Sequence, residues 1–359
     1  MAISSFGLLR TVVDAWYAGA EATSANRLIT RNAISLVFSL PIAYLQRIRQ
    51  VEGVTGVSYA NWFAGIYIDQ KNFFPQFAVE PESYLAMYPE YLLSDEERSA
   101  FLHDRQGVIA GRKVADQFGW KVGDTIPIRG TIYSGTFSFV LRGIYRGIDR
   151  KTDETQFFLH WQYLNERLKN DQPARAEQVG IFIVEIDRPT RAAEISLAID
   201  RLFQNSLAET LTETEKAFQL SFVAMTEAIL IAIELVSFVV IFIIMAVMAN
   251  TIAMSVRERK REYATLRALG FGPSYVVALI LGESVMIAVI GGVGGLVITF
   301  PAAAKFGARF GSLFPVFAVS DETIVLSVWA SLLVGCAAAV LPAWRALRTP
   351  VSEGLKSLG

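Results

Sequence analysis

Two carboxylates stand inside long apolar runs: Glu234 between Ala228 and Ala249, and Glu283 between Val276 and Phe300. A charge at such a place costs about 3 kcal/mol on insertion scales, so it marks either function or a buried pairing. Glu283 lies some two turns into its run, near a basic segment, and structural pairing with that segment is the favoured reading. Glu234 is read as pairing with a second chain or facing water, with proton coupling the less favoured role.

The stretch Asn250 to Gly272, NTIAMSVRERKREYATLRALGFG, concentrates charge of both signs. Its periodicity predicts a helix throughout, with Ile252, Val256, Tyr263 and Leu266 as an apolar stripe. Glu258 with Arg261, and Arg259 with Glu262, pair at i,i+3 on the polar face. A basic amphipathic helix ordinarily rests on anionic headgroups. Here the two acids dilute that reading, and a stripe flanked by both signs suits a protein groove better.

Several chemistries have no residues to carry them. The sequence holds no G-x-x-x-x-G-K-[ST] phosphate cradle, no G-x-S-x-G elbow and no H-E-x-x-H helix. Its one cysteine, Cys336, excludes an intrachain disulfide and reads as a small packing residue, while His103 and His160 are too far apart in sequence to suggest a zinc cluster. No catalytic, cofactor or metal site is expected. The run Gly291-Gly292-Val293-Gly294-Gly295 sits inside an apolar segment, where glycines let helices approach closely, so Gly291, Gly292, Gly294 and Gly295 are read as packing residues.

Composition explains where such residues must sit. Of 359 residues 53% are hydrophobic and only 19% charged, against about 25% charged in an average soluble protein. The net charge of −1 offers no field for nucleic acid. Three apolar runs, Ala228–Ala249, Val276–Phe300 and Thr323–Ala343, each approach the ~20 residues a helix needs to cross a bilayer. Soluble buried helices are the rival reading, disfavoured because no polar face accompanies the runs. Five basic residues lie between Asn250 and Ser274; Lys305 and Arg309 lie in the next loop, and Arg345, Arg348 and Lys356 in the tail. Basic residues are retained inside, which gives an in, out, in order and puts everything before Ala228 on the exterior.

That order needs an earlier crossing. Met1 to Leu9 is apolar, but Arg10 and Asp14 follow, so residues 1–26 are read as the remnant of a first span continuing into a stalk. The rest of that span is expected upstream, lost through start-site misassignment or trimming; an interfacial amphipathic helix is the rival reading. Residues 27–215 read as an α+β exterior domain. Its expected strands are Val54–Asp69, Thr125–Arg129, Thr136–Ile148 and Val179–Asp187; its expected helices are Ser94–His103, opened by a Ser94/Glu97 capping box, and Gly111–Phe118. Trp62, Trp120 and Trp161 are read as core, with partner anchors the rival reading. A helix from Thr190 has no Gly or Pro to stop it before the first apolar run, so one stiff rod is expected to join domain and membrane. Flexible joining at Thr210 to Thr214 is the alternative. Residues 216–359 complete the plan, with spans at about 228–254, 275–303 and 323–344 and a cytoplasmic helix at about 255–270.

The string Asn250–Gly270, Glu283, the GGVGG of Gly291–Gly295 and the closing LPAWRALRTPVSEGL resemble the MacB/FtsX-like permease family, as do GRKVADQFGWKVGDTI (Gly111–Ile126) and VLRGIYRG (Val140–Gly147). The resemblance implies an α-helical membrane protein with an α+β exterior domain, in a four-span permease architecture. It implies an ABC transporter permease without its own ATPase activity, paired with a second permease subunit as homo- or heterodimer in a bacterial inner membrane. Two copies of a cytoplasmic ABC ATPase would carry ATP and Mg, and a periplasmic adaptor is a further implied partner. The family's coupling role falls on Arg257, Glu258, Arg259, Glu262, Leu266, Arg267 and Gly270. Its work is mechanotransmission, which here implies export or extraction of a lipoprotein, peptide, lipid or hydrophobic compound. A non-transporting signalling scaffold that activates an envelope enzyme is the alternative.

Overall fold

A computed structural model describes residues 2–21, 23–149, 151–225, 227–310 and 317–348. Lys356, the family-like string beyond Arg348 and the side chain of Arg309 lie outside the described residues. The chain divides into two compact units, one of Met1–Ala15, Thr226–Arg309 and Phe317–Gly359, the other of Trp16–Met225 with Phe310–Val316.

After helix α1 (Ala2–Glu21), the α/β unit runs β1 (Arg27–Asn32), β2 (Leu40–Pro41), α2 (Tyr44–Arg49), β3 (Val54–Trp62), β4 (Gly65–Ile66), β5 (Gln76–Val79), α3 (Pro81–Met87), β6 (Tyr91–Leu92) and α4 (Asp95–His103). It continues through β7 (Gly107–Gly111), α5 (Arg112–Phe118), β8 (Thr125–Gly130), β9 (Thr136–Gly147), β10 (Phe157–His160), α6 (Trp161–Asp171), β11 (Gln178–Val179), β12 (Ile181–Ile186), α7 (Ala192–Leu202), β13 (Thr210–Thr214) and α8 (Glu215–Met225). One sheet takes the order β13-β1-β12-β3-β5-β10-β7-β9-β8-β4. The pairs β5–β10 and β7–β9 are parallel and the other neighbours antiparallel.

Both faces of this sheet are covered. Leu28, Phe157, Val108 and Phe182 join one core cluster, and their chain neighbours Ile29, Phe158, Ile109 and Ile183 join another. Successive side chains of a strand point to opposite faces, so strands buried on both sides must be apolar at every position. Trp120 and Trp161 are buried, whereas Trp62 is 39% exposed. The capping box of α4 forms as its sequence predicts, with Ser94 and Glu97 each bonding the other's backbone N–H.

The expected strand Val54–Asp69 is interrupted. Ala64 takes a left-handed φ of 50°, and the buried Gln76 amide replaces the ladder there, accepting from Gly65 N at 2.7 Å and donating to Gly65 O at 3.0 Å. The expected rod from Thr190 is also corrected. Helix α7 ends at Leu202, and Thr210–Thr214 is a strand, β13, paired antiparallel with β1. Asn205 turns the chain at φ 59°, a conformation that asparagine tolerates better than most residues, so neither Gly nor Pro is needed. The Asp200 carboxylate of α7 then holds β13, accepting from Thr210 Oγ1, Thr212 Oγ1 and Thr212 N at 2.7–3.0 Å.

The helical unit comprises the start of α1 with α9 (Glu227–Glu258), α10 (Lys260–Ala268), α11 (Pro273–Phe310) and α12 (Asp321–Arg348). Among the described residues, three stretches are long and apolar enough to cross a membrane: Ala228–Glu258, Pro273–Gly307 and Asp321–Ala346, with mean hydropathies of 3.0, 2.3 and 2.4. Small residues set their approach. Ser284 Oγ donates to Gly335 O at 2.5 Å, and a Cβ at Gly335 would lie 2.7 Å from Ala288 Cβ. Cys336 faces outward rather than into this packing.

Candidate functional site

The basic stretch between the first two apolar runs is an elbow, not one helix. Helix α9 runs to Glu258, Arg259 leaves helical geometry at φ −93°, ψ 15°, and α10 begins at Lys260. Arg259 also latches the bend. Its Nε donates to Glu262 Oε2 at 2.8 Å and its Nη1 to Glu283 Oε2 at 3.0 Å, while Ser255 Oγ donates to Glu283 Oε1 at 3.4 Å. Glu283 is thus tied to the basic segment by one guanidinium. Hydrogen bonding to Glu262 raises the Arg259 pKa further above its ordinary value.

The far end of α10 closes in a Schellman motif. Gly270 takes φ 97°, its N–H donates to Arg267 O at 3.2 Å, and Phe271 N donates to Leu266 O at 3.1 Å. Glycine fits that left-handed position without steric cost, and the two bonds satisfy carbonyls the helix end would otherwise leave open. Pro273 then opens α11.

The apolar stripe turns inward. Ile252 and Tyr263 are 6% exposed and join Val276, Ile280, Ala338, Ala339 and Ala343 in one core, with Val256 and Leu266 packed against it. Burial raises the Tyr263 hydroxyl pKa above its ordinary value. The stripe therefore binds the helices of its own unit, which corrects the expectation that it anchors in a partner's groove, and Leu266 belongs to that inner face. Arg257, Glu258, Arg259, Glu262 and Gly270 are exposed and Arg267 is half-buried.

The apolar side chains that the elbow does present are others: Leu269 at 72% exposed, Phe271 at 44% and Tyr275 at 45%. The rings of Phe271 and Tyr275 stack at 4.8 Å. A helical-wheel reading misses them because they straddle the Gly270 break, where helical periodicity stops; the signal was the Leu-Gly-Phe-Gly string itself.

At Glu234 the structure supplies a partner within the chain. Arg10 Nη1 lies 3.7 Å from Glu234 Oε1, Nη2 3.5 Å from Glu322 Oε1, and Nε 3.2 Å from Asp14 Oδ1. Asp14 Oδ2 accepts from Ser320 Oγ at 2.6 Å and Thr323 Oγ1 at 2.7 Å. The carboxylate thereby sits at the N-terminus of α12, where the helix dipole favours negative charge. Arg10 and Asp14, which break the apolar pattern in sequence, are the residues that join α1 to α9 and α12.

The four packing glycines divide in two. A Cβ at Gly292 would stand 2.6 Å from Ser331 Oγ and one at Gly295 2.9 Å from Ile3 Cβ, so both are close-approach positions. A Cβ at Gly291 or Gly294 would meet no described atom within 4 Å, so these two are not close-approach positions between the described helices.

Comparison with known proteins places this unit. The model of the FtsX-like permease C-terminal domain matches residues 234–351. The uncharacterized ABC transporter permease MJ1507 of Methanocaldococcus jannaschii is 25% identical over 310 residues, covering 83% of this chain and 75% of the relative. Among solved structures, the extracellular domain of the noncanonic ABC-type transporter YknZ from Gram-positive bacteria has a TM-score of 0.39 at 12% identity, covering 53% of this chain and 99% of that one. A permease-protein domain from Porphyromonas gingivalis has a TM-score of 0.33 at 14% identity, covering 52% of this chain and 86% of that one. The domain match takes in Glu234, the whole elbow, Glu283 and all four glycines, and over these residues the chain is similar to the FtsX-like permease C-terminal domain.

Proposed function

We propose that this chain is the permease subunit of an exporter-type ABC transporter that couples ATP hydrolysis on a separate cytoplasmic ATPase, present in two copies, to movement of its exterior domain. A second permease subunit completes the assembly. The cargo is a lipoprotein, a peptide, a lipid or a hydrophobic compound, moved by mechanotransmission. ATP and Mg belong to the ATPase, whose phosphate cradle this sequence does not carry.

The observation that carries this reading is the elbow. Its inner face is fixed to α11 and α12 through Tyr263 and Ile252, and Arg257, Glu258, Leu269 and Phe271 are exposed along it. A rigidly backed, solvent-facing bend with apolar anchors and charges of both signs fits a protein groove, and rigid backing would pass a push on the elbow to the spans. The concentration of basic residues supports a cytoplasmic location at the membrane's inner face.

The test is purification of the full chain from its native membrane with its partners. An ABC ATPase should co-purify, and Leu269→Asp with Phe271→Asp should weaken its retention by about tenfold or more, as loss of buried apolar anchors does. Retention equal to that of the unaltered chain would reject the elbow as the docking surface. Orientation is checked separately in a Cys336→Ala background, where Arg261→Cys should be shielded from an impermeant thiol reagent in intact cells and Lys151→Cys labelled.

A further inference from the structure

The α/β unit contains a cavity of about 910 Å³ between the 36–39 segment, the 131–133 segment, the sheet at β3, β5 and β12, and the face of α8 that carries Phe218 and Phe222. Its size lies in the roughly 300–1,000 Å³ range of small-molecule sites. Aromatic and aliphatic side chains dominate the wall. Trp62 packs edge-on to Phe77 at 5.1 Å, and Phe218 edge-on to Phe222 at 5.1 Å. Around the opening, Val37 is 87% exposed, Phe38 54%, Phe222 44% and Ile132 41%.

The most buried polar side chain in the wall, Asn61, is already engaged. Asn61 Nδ2 donates to Tyr133 Oη and to Gln178 O, both at 3.2 Å, and Asn61 Oδ1 accepts from Gly180 N at 2.8 Å. A bound peptide would bring backbone N–H and C=O groups into a wall with few partners for them, at a cost for each one left unpaired. An acyl chain brings none. The one charged side chain among the described lining residues is Arg175, exposed and steered by donation from Nη1 to Ile132 O at 2.6 Å. A guanidinium has five N–H donors, so that bond occupies only one of them.

We infer that this cavity binds a single-chain anionic amphiphile, its acyl chain against Trp62, Phe77 and Phe222 and its carboxylate or phosphate head at Arg175. The site goes beyond the coupling reading and is independent of the elbow.

The experiment uses the full chain in phosphatidylcholine nanodiscs, without ATPase or nucleotide, and a palmitate probe bearing a photoreactive diazirine, with labelled peptides mapped by mass spectrometry. Label is expected at Val37–Phe38, Trp62 or Phe222. Excess palmitate and hexadecyl phosphate should displace it, the stronger of the two identifying the head, while hexadecanol should compete up to about fivefold less well, the scale of one exposed ion pair. Phe38→Asp, a change on an exposed segment, should cut labelling by about tenfold by setting a charge against the chain. Arg175→Gln should erase the preference for anion over alcohol while labelling persists. Label confined to the apolar spans, labelling unchanged in Phe38→Asp, or equal competition by hexadecanol would overturn the proposal. Because no ATPase is present, such a result leaves the coupling reading intact, and failure of the elbow variants would leave this site intact.

Discussion

Arg27 and Glu215 meet at 2.7 Å, each 5% exposed, although they stand 188 positions apart in the sequence. Arg27 opens β1, where the chain enters the sheet, and Glu215 opens α8, where it leaves β13. Three further groups complete the node. Arg27 Nη1 donates to Met87 O at 2.8 Å and Nη2 to Glu90 Oε1 at 2.6 Å, and Tyr88 Oη donates to Glu215 Oε1 at 2.8 Å with its ring 4.1 Å from the guanidinium. Burial works against the charge on Arg27, but Glu215 and Glu90 outweigh it and hold the guanidinium protonated above its ordinary value.

Arg27→Met should therefore cost about 3–5 kcal/mol, because it strands a buried carboxylate, while Arg27→Met with Glu215→Leu should recover much of that loss. Urea unfolding of the full chain in detergent, followed by tryptophan fluorescence, measures both. A double variant no more stable than the single one would show that the pair is not an isolated charge balance.

His160 gives the α/β unit a pH dependence. The ring is 3% exposed and its Nε2–H donates to Phe101 O at 2.8 Å. Burial lowers its pKa below the ordinary 6.5. Above about pH 6.5 both folded and unfolded forms are neutral, so stability is full; on acidification the unfolded chain takes up the proton first, and stability falls until the folded pKa is passed. Unfolding midpoints of the unaltered chain should drop between about pH 7 and 5, and His160→Gln, which keeps an N–H donor, should flatten that segment. A parallel slope in both proteins would assign the effect to other groups.

Leucine at the four glycines should separate them. Gly292→Leu and Gly295→Leu must displace Ser331 and Ile3, and overpacking of this kind costs about 1–3 kcal/mol. Gly291→Leu and Gly294→Leu meet open space and should stay within about 0.5 kcal/mol. Thermal inactivation in detergent reads the fold, and size-exclusion chromatography reads assembly. A Gly294→Leu chain that folds but loses a second subunit would locate that subunit on this face.

Charge reversal at the elbow needs a choice of residue. Glu262→Lys would set a cation against Arg259 and loosen the latch to Glu283, so its effect on coupling would mix with a local one. Glu258→Lys, on an exposed residue, should lower ATPase stimulation in proteoliposomes several-fold with insertion unchanged, as like charges facing each other across an interface do. A helix resting on anionic lipid would instead bind its membrane more tightly and leave hydrolysis unaffected.

Amino-acid order alone determined what is local in this protein. Three apolar runs must leave water because no polar face interrupts them, Ser94 and Glu97 cap α4 because they stand three residues apart, and Gly270 ends α10 because glycine accepts a positive φ. Tertiary structure decided what depends on distant partners. The stripe of Asn250–Gly272 faces inward because α11 and α12 supply Val276, Ile280 and Ala339; Glu234 is answered by Arg10; β13 replaces a rod because β1 offers it a free edge and Asp200 holds it. Periodicity says that a face is apolar, and only the packed chain says what covers it, since burial is decided by residues far along the sequence that no local pattern contains.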